Sequence, residues 1–224
     1  MYTNYKSTKF LSEKTKKDHL KLLDGYTKNT ETLQKKLPKA DTEDVNAANS
    51  TYRTIVDSLR FNYNAQLLHS MYFSQISSEP TSVPVNFKKW IADSVKNTGS
   101  TEFKTFDDWK EAFIATSKAS RGWVVFGYDP FSNQLKNVAI DSHDVGLPPA
   151  FLPILVLDVW EHAYVGDFGT DRAKYVKEWF RYIDWQQVEK MVDVWEHMSH
   201  GEDLLKKLTG SLYNQLHVLG HLEG

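Results

Sequence analysis

Apolar positions are sparse over residues 10–37, where Leu11, Leu20, Leu23, Leu33 and Leu37 punctuate a Lys- and Thr-rich background. With Ser12 as a cap, this spacing predicts one long helix. A polar connection follows over 38–50 (PKADTEDVNAANS). Ile55, Leu59, Leu67, Met71 and Phe73 then predict a second long helix over 51–76. The segment 77–86 (SSEPTSVPVN) carries two prolines and reads as a domain boundary. Helices are expected over 87–97 and 105–119, the latter with Asp107 and Asp108 at the positive end of its dipole. WVVFGY at 123–128 is β-rich, and Gln134 to Ile140 can return as its hairpin partner across an Asp-Pro/Ser-Asn turn. Ile154 to Leu157 reads as a short buried strand, and 171–199 as helix. The expected fold class is α+β: an N-terminal helical hairpin domain (1–80), then a mixed domain with a small antiparallel sheet (81–199). A C-terminal helical extension (200–224) follows, its face marked by Leu204, Leu205, Leu208, Leu212, Leu216 and Leu219.

Composition narrows the function classes. A net charge of −2 over 224 residues offers no electrostatic footprint for nucleic acid. No apolar run approaches the ~18 residues of a membrane span. The start, MYTNYKSTKF, lacks the apolar core of a secretory signal, so the expected location is cytoplasmic. Cysteine is absent, which excludes disulfides and thiolate ligands. A transition metal here has only His, carboxylate or water to bind.

The sharpest chemical feature is DVWEHAY at 158–164, where an apolar strand (PILVLDVW) ends in an acid and a His follows four positions later. Carboxylate oxygen with imidazole nitrogen suits iron and manganese. Taken alone, an Asp and a His so spaced are more often a simple hydrogen-bonded pair. The wider sequence changes that weighting. LDVWEHAY followed by DRAKYVKEWFRYIDWQQVEK (171–190) closely resembles the C-terminal signature of iron/manganese superoxide dismutases, with Tyr175, Trp179 and Asp184-Trp185 at its aromatic positions. RFNYNAQLLHSMYF (60–73) resembles the second helix of that family, and RGWVVFGYDPFSNQL (121–135) its Gly-Trp strand and hairpin.

The resemblance implies one Fe or Mn ion per chain, held by His69, Asp158 and His162 and by a ligand from the first helix. It implies superoxide as substrate, with Tyr26 and His143 holding the solvent at the metal and relaying protons. His143, in DSHDV (141–145), places the chain with the His-bearing, archaeal-like branch; Ala65 stands where other members supply a Gln. Trp123 and Trp160 would wall the metal pocket, and Glu161 would bridge to a ligand His of a partner in a homodimer. The alternative is a non-catalytic relative that kept the fold as a structural or assembly subunit.

The first helix departs from the family pattern. Its text is DHLKLLDGY (18–26), and two registers compete: a gapless match to Tyr26 puts Asp18 at the ligand position, and a match from LSEKT upstream puts His19 there. At ~100° per residue, seven positions return to nearly the same helical face, whereas eight miss it by ~80°. His19 and Tyr26 can therefore point inward together, and His19 is the favoured ligand. The family's inner His is replaced by Leu22 or Leu23, and its second interface Tyr by Val165, so an altered dimer contact is expected. A second DVWEH at 193–197 lacks the preceding apolar strand and reads as a chance recurrence on a helix.

Overall fold

The computed structural model describes residues 2–98 and 102–200. Among them are eight α-helices and one three-stranded antiparallel sheet, an α+β architecture. A short helix, α1 (Thr3–Ser7), precedes the long α2 (Glu13–Lys36), which ends in a 3-10 turn (Leu37–Lys39). Ser12 caps α2 by accepting from the Thr15 amide, and Ser50 caps α3 (Thr51–Ser74) through the Arg53 amide. α2 and α3 pack along each other, as the hairpin pattern predicted. α4 (Val85–Thr98) and α5 (Phe106–Ala119) follow. Asp108 does more than favour the dipole: with Thr105 it closes a reciprocal capping box at the start of α5.

The sheet has the order β2-β1-β3, built from β1 (Trp123–Asp129), β2 (Gln134–Ile140) and β3 (Leu152–Asp158). Every residue of the central β1 is buried, because α5 packs on it and α3 and α8 reach β3. The register sets Trp123 opposite Ile140 on one side and Asp158 on the other. One level of the sheet thus fixes a tryptophan, a carboxylate and the exit of the loop that carries His143. The antiparallel sheet is irregular between Phe126 and Gly127. There the Leu152 carbonyl approaches so closely that a Cβ on Gly127 would lie 2.3 Å from its oxygen.

The edge of β3 away from β1 is closed by a side chain. Gln75, at the end of α3, donates to the Ile154 carbonyl at 2.6 Å and accepts from the Val156 amide at 3.0 Å. It substitutes for a fourth strand where bare edge groups would otherwise be buried.

One expectation needs correction. The helix expected over 171–199 is broken into α7 (Arg172–Trp179) and α8 (Trp185–His200). The break arises because Ile183 forms an antiparallel bridge with Ile76, flanked by Ser77 N–H to the Tyr182 carbonyl and Asp184 N–H to the Gln75 carbonyl. The pull toward the end of α3 outweighs continuation of the helix. The stretch after Asp158, for which the hydrophobic pattern makes no prediction, turns at once into a short helix, α6 (Glu161–Phe168). The Trp195–His197 side chains of the second DVWEH, and the expected helical extension from residue 201 on, lie outside the described residues.

The core is one cluster dense in aromatic rings, in which Trp179 stacks on Phe113 with centroids 5.5 Å apart. No helix among the described residues is long and apolar enough to cross a membrane.

Candidate metal centre

Four elements converge on one buried point. α2 brings His19, α3 brings His69, the end of β3 brings Asp158 and the first turn of α6 brings His162, with one donor atom from each lying within 4.8 Å of the others. Asp158 Oδ2 is the hub: His19 Nε2 is 3.1 Å away, His162 Nε2 3.2 Å and His69 Nε2 3.6 Å. His19, His69 and Asp158 are buried, and His162 is partly open to solvent. Asp18, the competitor for the first position, is exposed and paired with Lys14. The regular α2 carries no bulge that could turn Asp18 inward, so the seven-residue spacing of His19 and Tyr26 prevails.

His69 and Asp158 are each oriented by neighbours. His69 Nδ1–H donates to the Ala65 carbonyl at 2.7 Å, so its Nε2 bears the lone pair. That Nε2 is buried and has no hydrogen-bond partner among the described residues. An orphaned acceptor aimed at a carboxylate and two more imidazoles is what a cation would satisfy, and the N₃O set suits iron or manganese. Asp158 Oδ1 accepts from the Trp160 amide at 2.8 Å, and the Tyr175 hydroxyl donates to the Asp158 carbonyl at 2.8 Å. Tyr72 meets the Tyr175 hydroxyl at 3.0 Å, continuing a fully buried polar chain.

The electrostatics favour neutral rings around an ionised acid. Burial pushes the His69 pKa down to about 3 and that of His143 to about 4, and it also lowers that of His19. Burial alone would raise the Asp158 pKa, but His162 and His19 outweigh it and hold the carboxyl below its ordinary range. Neutral His19 and His69 beside an ionised Asp158 leave a negative charge to meet a metal cation.

Tyr26 and His143 meet beside this cluster. The Trp123 indole N–H donates to His143 Nδ1 at 3.0 Å, so the neutral ring carries its proton on Nε2. That nitrogen lies 3.2 Å from the Tyr26 oxygen. His143 therefore donates to Tyr26, and the Tyr26 proton is free to point elsewhere. Desolvation and the Asp158 charge raise the Tyr26 pKa, keeping the phenol protonated. Trp123 is fully buried, its ring 4.8 Å from that of His69. Trp160 lies nearly parallel to the His162 ring at 6.4 Å. Glu161 is exposed on the first turn of α6.

A cavity of about 570 Å³ leads to His162 and Tyr26 between Lys21, Leu22, Gly25 and Asn29 of α2. Of the two leucines that compete for the family's inner His position, Leu22 lines this cavity while Leu23 is buried in the core. Val165 is exposed. Sequence reasoning missed Tyr5, whose hydroxyl lies 3.3 Å from His19 Nδ1, and Gln75 at the edge of β3. Neither sits in a motif; both act on residues distant in the chain.

Comparison with known proteins places the chain as a whole among relatives of one kind. Residues 92–191 match the family described as iron/manganese superoxide dismutases, C-terminal domain. A protein of Halobacterium salinarum named superoxide dismutase [Mn] 2 is 32% identical over 175 residues, which cover 78% of this chain and 80% of the relative. A superoxide dismutase [Fe] of Aquifex pyrophilus is 28% identical over 169 residues, covering 74% and 76%. A superoxide dismutase [Mn/Fe] of Aeropyrum pernix is 29% identical over 143 residues, covering 63% and 64%. Between a likeness that spans most of two proteins and a site assembled from four separate elements, the chain belongs to the iron/manganese superoxide dismutase family.

Proposed function

We propose that this protein disproportionates superoxide to dioxygen and hydrogen peroxide at a mononuclear Fe or Mn site held by His19, His69, Asp158 and His162. The observation that carries the reading is the orphaned His69 Nε2, buried against the Asp158 carboxylate with two further imidazoles facing it. The bound ion supplies the one-electron exchange between successive superoxide ions. The chain's own groups do the rest. Lys21 and Asp18 stand together on the wall of the cavity that leads to His162. Tyr26, protonated and released from donating to His143, offers a proton into that cavity, and His143 Nε2–H is placed to replace it. Trp123 and Trp160 keep the inner wall apolar and narrow.

We further infer a helical hairpin domain ending near residue 80, a cytoplasmic location and a homodimer in which Glu161 reaches the partner. Leu22 and Val165 alter the contact. Elemental analysis and a superoxide-consumption assay on one purified sample test the function. About one Fe or Mn per chain with fast consumption is expected, and His162→Ala should lose both. A folded wild type with neither metal nor activity, or a His162→Ala protein with full metal content, overturns the assignment.

A further inference from the structure

The His19 ring is buried, and its two nitrogens face different partners. Nε2 lies 3.1 Å from Asp158 Oδ2, and Nδ1 lies 3.3 Å from the Tyr5 hydroxyl. His69 satisfies its Nδ1 with the carbonyl one turn back on its own helix. His19 depends instead on a side chain from another segment, one that precedes the stretch where the family resemblance is legible. We propose that Tyr5 is a positioning residue that holds His19 in the Nδ1–H tautomer and so keeps Nε2 available for the metal; this rests on the metal-centre reading above.

An imidazole that coordinates through Nε2 carries its proton on Nδ1, and in a dry core that N–H needs an acceptor. The phenolic oxygen of Tyr5 is the acceptor within reach, and as a hydroxyl it can also donate when the proton sits on Nε2. Without it, the Nε2–H tautomer, donating to Asp158, satisfies more of the site and blocks the metal. Tyr5 is well fixed for the task. It is fully buried, with its ring 4.3 Å from Phe73 and edge-on to His19. Its segment is strapped to the body by the buried Lys16 ammonium, which donates to the carbonyls of Lys6 at 2.9 Å and Thr8 at 3.0 Å. Thr8 in turn donates to the Ser77 carbonyl at 2.7 Å. Lys16 lies three residues before His19 on α2, so one helical face binds both the strap and the site.

The test is Mn(II) affinity measured by chelator competition on wild type, Tyr5→Phe and Tyr182→Phe. The last removes a hydroxyl from the same core without touching His19. Tyr5→Phe is expected to bind Mn(II) about 10–100-fold more weakly, the usual loss when a ligand's outer partner is removed. Tyr182→Phe should bind as wild type does, and the metal-free melting temperatures of all three should agree. Wild-type affinity in Tyr5→Phe overturns the inference. Independently of how the variant folds, nitrogen NMR of the Zn(II)-loaded wild type should show a slowly exchanging proton on His19 Nδ1; a proton on Nε2 overturns it. A wild type that binds no Mn(II) overturns the metal-centre reading, and this inference with it.

Discussion

Acid should unfold the metal-free protein at a pH where its surface groups alone would not. In the native state burial pushes His69 down to about 3 and His143 to about 4, from 6.5 for an exposed imidazole. Below pH 6.5 the unfolded chain binds protons that the native state refuses, so stability falls as pH falls. The loss continues down to the folded pKa of each ring. Between pH 7 and pH 5 each ring contributes about 2 kcal/mol, or about 4 kcal/mol together as a ceiling. His19 is shifted in the same direction and adds to it. That total is a large fraction of the roughly 5–15 kcal/mol that holds a domain folded. With a urea dependence of about 2 kcal/mol per M, the unfolding midpoint of metal-free protein should drop by about 2 M from pH 7 to pH 5. Metal-loaded protein should hold its midpoint further into acid, because bound ligands stabilise the native state and the coordinated rings cannot be protonated. The assay is urea unfolding followed by tryptophan fluorescence, with and without chelator. A metal-free midpoint that stays constant from pH 7 to pH 5 would refute the idea that these rings are buried neutral.

Two further substitutions probe what holds the site in place. Gly127→Ala puts a methyl 2.3 Å from the Leu152 oxygen, a backbone atom that cannot swing away. It should cost at least about 1–3 kcal/mol in a thermal melt, from overpacking. Gln75→Leu removes both hydrogen bonds to the edge of β3 and leaves a buried amide and carbonyl unpaired. At about 1–3 kcal/mol for each orphaned group, it should destabilise by roughly 2–6 kcal/mol in urea and loosen the strand that ends in Asp158.

What the chain declares by itself is local. Helix periods, the Ser12 cap and the hairpin over 123–140 depend on residues a few positions apart, and they reappear in α2, α3 and the β1–β2 pair. DVWEHAY is legible for the same reason, since Asp158 and His162 are fixed relative to each other by one strand end and one helical turn. Tertiary structure decided what depends on distant segments. Asp18 and His19 are adjacent on α2, and the choice between them came from which face of that helix meets β3 and α3. The break between α7 and α8 is imposed by Ile76, more than a hundred residues upstream, against a helical pattern that runs on unbroken. Tyr5 is held beside His19 by a segment that Lys16 and Thr8 strap to the body. A periodic pattern shows which face of a helix is buried, but the partner on that face is set by the packing of elements far apart in the chain, and no short stretch of sequence encodes it.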